Sequence, residues 1–142
     1  MVLTPSHPVP IHDHPEGAGI QMVVRGRLAV QHYERGRAHR SSAKLASLRK
    51  VDDAVLGPGA WGWIDPVERN LHGLHAISPR CTVLDVIVSP AGAEQRRVWY
   101  FPLPAANNPM NECCALSVPE GIFATTRRRI RDGYKAERAP WK

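Results

Sequence analysis

A chain of 142 residues, 43% of them apolar, is long enough for one domain with a modest core, and no apolar run in it approaches the length of a membrane span. Its formal charge of +6 is concentrated between Arg35 and Lys50 and between Arg127 and Lys142. Such runs can bind nucleic acid or anionic surfaces, but no nucleic-acid-reading motif accompanies them, so solvated loops and tails are expected, with neither nucleic acid nor membrane as a partner.

Three cysteines, two of them adjacent at Cys113-Cys114, fit neither a C-x-x-C zinc site nor a disulfide framework. Met1 to Pro10 lacks the charged and apolar regions of a secretory signal. Reduced thiols and a cytoplasmic location are the expectation.

In chain order, the prolines at 5, 8, 10 and 15 exclude helix from the opening segment and make it an extended lead-in. Ile20 to Val24 is apolar and β-branched enough for a buried strand. Gly26 marks a turn, and Leu28 to Tyr33 resumes as the second strand of a hairpin. Glu34 to Lys50 reads as an exposed polar connection, with one or two helical turns over Ala43 to Arg49. Val51 to Leu56, Trp61 to Ile64, His72 to Ile77, Cys81 to Val88 and Arg96 to Phe101 read as strands, separated by Gly57-Pro58-Gly59, Asp65-Pro66, Ser78-Pro79 and a loop over Ser89 to Gln95. From Pro102 onward prolines break up any long element, although Ala124 to Tyr134 has the character of a short basic helix. Many short strands with Gly/Pro turns indicate an antiparallel barrel or sandwich. The expected division is a β-barrel domain over 1–104 and a mostly irregular, basic C-terminal extension over 105–142, packing on the barrel or extending from it.

The chemistry is expected at Pro10-Ile11-His12-Asp13-His14-Pro15. Side chains alternate across an extended segment, so His12 and His14 face the same side and form a pair of ligands for one metal ion. A third ligand is expected from a strand lying opposite. His72 and His75, two or three strands later, are the candidates; three residues apart on a strand, they face opposite sides, so only one can serve.

With these residues in place the chain resembles the cupins, and within them the thiol dioxygenases of the cysteamine dioxygenase and plant cysteine oxidase group. The first block is Pro10 to Pro15, with Gly19 and Gly26 at fixed distances. The second is Asn70-Leu71-His72, Ala76-Ile77, Pro79, Leu84-Asp85-Val86-Ile87 and Ser89-Pro90, followed by Tyr100-Phe101, so the likeness covers roughly 8 to 102. It implies a small cupin: an all-β, double-stranded β-helix forming an antiparallel jelly-roll barrel. It assigns the third ligand to His72 and implies an Fe(II) cofactor; the spacing alone says only that a metal is bound.

Many metal-binding cupins place a glutamate ligand where Gly19 stands. Three neutral imidazoles leave the full charge on a divalent metal, which favours an added anionic ligand such as a thiolate and keeps positions open for oxygen. The activity implied is a dioxygenase that converts a small amine-bearing thiol (cysteamine, cysteine or an N-terminal cysteine) and O2 to a sulfinic acid. The alternatives are a metal-binding cupin of other chemistry, such as an isomerase or another oxygenase, or a non-catalytic ligand-binding cupin.

Asp85 and Tyr100 are the catalytic candidates. A carboxylate in an apolar strand is costly unless paired, and the family has an aspartate near its pocket, where it would orient a ligand or receive a substrate amine. Tyr100 would donate a hydrogen bond to substrate or bound oxygen. Gln21 points inward if Gly19 does, and Asn70 fixes the turn before His72. His7, His32, His39 and His75 are expected as surface or packing histidines, Trp61, Trp63 and Cys81 as core, Cys113-Cys114 as inert thiols, and Arg127-Arg128-Arg129 as an exposed basic face. Family members carry a substantial segment before the first histidine motif, where this chain shows about ten residues. The barrel edge left bare would be covered by the stretch after Pro104 or by a second subunit, so a homodimer is expected.

Overall fold

Runs of β-branched and aromatic residues cut short by glycine and proline leave little room for a helix to nucleate. In the computed structural model of the protein every named element among the described residues is accordingly a strand. The structure describes residues 1–14, 17–36, 45–67, 69–91, 97–103, 112–119 and 121–122. Its ten strands are β1 (Val2–Leu3), β2 (Val9–His12), β3 (Ala18–Arg25), β4 (Leu28–Arg35), β5 (Leu45–Leu56), β6 (Trp61–Ile64), β7 (Leu71–Ala76), β8 (Cys81–Val88), β9 (Val98–Pro102) and β10 (Glu112–Pro119).

The strands form two antiparallel layers. One is a four-stranded sheet in the order β1-β8-β3-β6; the other closes on itself as a six-stranded ring, β10-β5-β4-β7-β2-β9. Between the layers lies a core to which both contribute: Leu3, Val23, Cys81 and Val83 from the first, Leu28, Val30, Leu74 and Ala76 from the second. A second apolar cluster, Ile11, Leu48, Leu71, Tyr100 and Ala115, occupies the inside of the ring. The shared strands β2, β4 and β7 therefore turn one face to the core between the layers and the other to the ring, where Gln31 and His75 stay exposed. This is an all-β barrel of the jelly-roll kind.

Four sequence expectations change. The turn at Gly26 does not close a hairpin: β3 pairs with β6 and β8, whereas β4 pairs with β5 and β7, so the turn carries the chain from one layer to the other. Gly26 has φ of 85°, and a Cβ there would stand 2.4 Å from the carbonyl oxygen of Arg80, which is why the crossing needs glycine. The helical turns expected over Ala43 to Arg49 are, from Leu45 onward, the first half of β5, because pairing to both β4 and β10 satisfies that backbone; residues 43 and 44 lie outside the described residues.

The fading signal after Pro102 hides β10, which pairs with β5 and β9 and completes the ring. The barrel wall thus runs to Pro119, past the boundary expected at 104, and this C-terminal stretch covers the edge that seemed bare. Trp61 and Trp63 are 52% and 58% exposed rather than core, since they lie on the outer face of the four-stranded sheet. The basic helix expected over Ala124 to Tyr134 and the cluster Arg127 to Arg129 fall outside the described residues, as does His39.

Candidate metal centre

His12 ends β2, and His14 follows two residues later in extended chain. The third histidine comes from the adjacent strand, not an opposite one: β2 and β7 are neighbours, and His12 and His72 are directly paired in the register. His72 is paired on its other side with His32 of β4, so three imidazoles stand in a row across β2, β7 and β4. His14 closes the group, and the ligand atoms of His12, His14 and His72 all lie within 4.8 Å of one another. His75, three residues on, is exposed on the other side of the strand and takes no part.

Hydrogen bonds orient the ligands. With its Nδ1 2.9 Å from the carbonyl oxygen of Pro10, His12 donates there and leaves Nε2 bare. The backbone N–H of His14 donates to Oδ1 of Asn70, and Asn70 Nδ2 donates in turn to the carbonyl oxygen of Pro66 at 3.2 Å. Asn70 thus ties the segment bearing His14 to the strand bearing His72.

His72 Nε2 stands 3.2 Å from Nε2 of His14 and 3.3 Å from Nε2 of His12. A single hydrogen cannot serve both contacts well, whereas one cation would accept all three lone pairs. A metal–nitrogen bond of about 2.1 Å sets adjacent nitrogens about 3.0 Å apart at right angles and about 3.4 Å apart in a tetrahedron. The two spacings to His72 fall in that interval, and all three ligand atoms lie within 4.8 Å of one another, so the group can hold a divalent metal.

Electrostatics agree. Burial lowers the pKa of His12 to about 3, against the raising effect of the Pro10 carbonyl. Burial likewise lowers His14 to about 4, assisted by the charge of Arg97. His72 is pushed well below the ordinary value by burial, then by the neighbouring histidines. All three are neutral near pH 7, the form that ligates metal.

Gly19 explains the missing carboxylate. A Cβ at this position would lie 2.2 Å from the carbonyl oxygen of Val86 and 2.7 Å from Cδ1 of Ile87. The approach of β3 to β8 leaves no room for any side chain, and therefore none for a glutamate ligand.

The two catalytic candidates fare differently. Asp85 sits on the inward face of β8, paired in register with Gln21, whose Nε2 donates to Asp85 Oδ1 at 2.8 Å. Gln21 is itself buried, as its parity with Gly19 requires. Tyr100 does not reach the histidines. It pairs with Ile11, whereas its neighbour Trp99 pairs with His12 and sets its ring 4.7 Å from that imidazole. The Tyr100 hydroxyl instead accepts a hydrogen bond from Arg35 Nη2 at 2.8 Å inside the ring. The expected donation from Tyr100 into the site fails because strand alternation sends its side chain to the other face.

Three further residues were not assigned to the site from sequence. Asp13, between the two ligands, is buried and points opposite to them; its Oδ1 accepts from the Val98 N–H at 2.7 Å and its Oδ2 from Arg35 Nη2 at 3.0 Å. Burial raises its pKa despite these partners. Arg97 lies over the Trp99 ring at 5.8 Å and puts a positive charge beside the triad. His32, taken as an ordinary histidine, is buried with its ring 6.2 Å from that of His72. The alternation around His-x-His carries the signal for Asp13; Arg97 and His32 have none without the pairing of strands. A cavity of about 360 Å³ lined by Tyr33, Gly73, His75 and Tyr100, among others, opens on the reverse side of the same sheet, not at the triad.

A jelly-roll barrel whose paired strands bring three neutral histidines together has the geometry of a cupin that could hold a metal ion. The chain matches the PCO_ADO family, that of the plant cysteine oxidases and cysteamine dioxygenases, over residues 1–125, and belongs to it. The family is one of thiol dioxygenases. No curated protein matches the chain closely enough to name a relative. Among the described residues no helix is long and apolar enough to cross a membrane.

Proposed function

We propose that the protein is a non-haem Fe(II) thiol dioxygenase acting on a small thiol that carries an amine, such as cysteamine, cysteine or an N-terminal cysteine. The observation that carries this reading is the convergence of His12, His14 and His72, with Gly19 excluding a carboxylate, in a chain of this family. His12, His14 and His72 would hold the iron, which supplies binding and redox activation of thiolate and O2 when present.

The remaining roles belong to the chain. Three uncharged ligands and the nearby Arg97 make the centre electropositive, which favours a substrate sulfur as thiolate over thiol. Asp85, held by Gln21, offers a carboxylate on the inward face of β8 to receive the substrate ammonium. Trp99 walls the site beside His12 and excludes water there. The reaction balances without an outside reductant: sulfur gives up four electrons, O2 takes four, and both oxygen atoms end in the sulfinic acid. Three free cysteines suit the reducing cytoplasm, where such thiols persist.

The test is bound-metal analysis of purified protein combined with O2 uptake and sulfinate detection over a panel of thiols. Iron in about one equivalent, with uptake confined to amine-bearing thiols, is the expected result. Iron-loaded protein that consumes no O2 with any of them would overturn the reading.

A further inference from the structure

The outer face of the four-stranded sheet is apolar where a solvated face should be polar. An antiparallel sheet with one wet side alternates apolar-in and polar-out. Here the inward positions of β3 and β8 hold Gly19, Gln21, Val23, Val83 and Asp85, and the outward positions are no more polar. Every second residue from Ala18 to Val24 and from Thr82 to Val88 is uncharged, and all but Thr82 are apolar, in a chain of which 23% is charged.

The register joins these positions into continuous rows. Ile20 lies between Trp63 and Val86, and Met22 between Trp61 and Leu84. Ile20, Trp61, Trp63, Leu84, Val86 and Val88 are between 40% and 69% exposed. The two tryptophans stack edge to face with centroids 4.9 Å apart.

At roughly half exposure these side chains present on the order of 600 Å² of apolar surface. That is the upper end of what a monomer leaves bare, about 300–600 Å². Two such faces together reach about 1,200 Å², where specific interfaces begin.

We infer that this face is the interface of a homodimer, two copies packing outer sheet against outer sheet. Charge selects the occupant. Anionic membrane or nucleic acid would require several lysines or arginines among the outward positions, and the register supplies only Arg25, opposite Thr82 at the end of the rows. Residues 123–142 carry seven lysines and arginines against two acids, and would lay those cations on a face without a carboxylate. A second copy brings an equally apolar face, which buries little charge on either side of the contact.

The face is also self-complementary. Aromatic bulk lies at one side, on β6, and the aliphatic rows at the other, on β8, with β3 between them. A twofold axis over β3 sets Trp61 and Trp63 of each copy on Leu84 and Val86 of the other, the reciprocal pattern of a C2 interface. Gln21 and Asp85 point the opposite way, so the contact does not involve the residues assigned to substrate. The dimer expected from a bare barrel edge is thereby moved to a sheet face.

The experiment is light scattering on size-exclusion chromatography of the full chain at micromolar concentrations, with Trp63→Lys, Val86→Lys and, as a control off the face, Val55→Lys. Wild type and Val55→Lys should run as dimers. Trp63→Lys and Val86→Lys should run as monomers with unchanged circular dichroism and metal content. Diluting wild type should increase acrylamide quenching of tryptophan fluorescence as Trp61 and Trp63 become uncovered, a readout that holds even if a lysine variant misfolds. A wild type monomeric at all these concentrations, its face bare or covered by its own chain or another partner, would overturn the inference. So would a dimer that survives both substitutions in folded protein.

Discussion

The two faces of the segment from Ile11 to His14 do opposite work. One face carries His12 and His14, which are uncharged at neutral pH and aimed at a centre shared with His72. The other carries Ile11 and Asp13, packed into the ring's apolar cluster and bound to Val98 and Arg35. The first face has little of its own to hold it: two neutral imidazole nitrogens, each set against that of His72, contribute little to stability without a metal. The second face supplies the anchoring. A metal centre on a strand is rigid only as far as the strand's reverse side is fixed, and here that side is fixed by apolar burial and one buried carboxylate.

Breaking the metal face should have the largest effect on function. His72→Ala removes the ligand that touches both others and leaves the reverse side intact. The expected outcome is loss of metal from the purified protein and O2 uptake at background with every thiol. The circular dichroism spectrum should not change.

Gly19→Ala attacks the same face through its geometry. A Cβ 2.2 Å from a backbone oxygen forces β3 away from β8, and a cost of about 3 kcal/mol or more is expected from such backbone displacement. Urea denaturation should show it as a lowered midpoint. Gly19→Glu should fail in the same way and should not yield a carboxylate-ligated centre.

Acid separates the two faces without mutation. The folded-state pKa values of His12 and His14 lie at about 3 and about 4, below the 6.5 of the unfolded chain. Below pH 6.5 the unfolded state binds more protons, so stability falls with pH until the folded values are reached. These two groups alone contribute a slope of up to about 2.7 kcal/mol per pH unit between roughly pH 6 and pH 4, and His72, also lowered, adds in the same sense. Asp13, raised by burial, works in the opposite sense near the bottom of that window. Urea midpoints across this range should fall for metal-free wild type and fall less for His12→Ala.

Much of this contrast is legible in the sequence, because alternation is a local property. It puts His12 and His14 on one side, Ile11 and Asp13 on the other, and marks Cys81 to Val88 as a strand that the structure reproduces residue for residue. What local pattern cannot supply is pairing. Tyr100 is the aromatic singled out from the sequence, and only the register of β9 against β2 shows that Trp99 is the one that faces His12. Arg97 and His32 reach the triad through the same registers. The prolines and asparagines around residues 102–109 obscure β10, whose polar and small residues become a strand because β5 and β9 offer it two unpaired edges. The exposed tryptophans mislead for a related reason: alternation says that Trp61 and Trp63 share a face, not which face is covered.

The reverse side is tested most directly at Asp13. Asp13→Asn keeps the shape and removes the charge that Arg35 and the Val98 amide bind. Ligand orientation loosens while all three ligands remain, so metal affinity should fall about 10- to 100-fold, measured by chelator competition. Unlike His72→Ala, the variant should recover most of its activity when metal is supplied in excess. An Asp13→Asn protein of unchanged affinity would mean that the apolar contacts of Ile11 alone hold the segment.

Tyr100→Phe should have the smallest effect, and its smallness is informative. Were Tyr100 a donor to substrate or oxygen, its hydroxyl would be worth 10²-fold or more in turnover, as for a lost catalytic donor. The structure gives that hydroxyl to Arg35, a side chain 61% exposed, and leaves Asp13 two other contacts. The hydroxyl also hydrogen-bonds Asp13, so removing it costs about 1.5–3 kcal/mol of stability, as for bonds to charged groups, with turnover changed only a few-fold. The same variant at saturating metal should be indistinguishable from wild type in turnover, because whatever Tyr100 contributes reaches the centre only through the placement of Asp13.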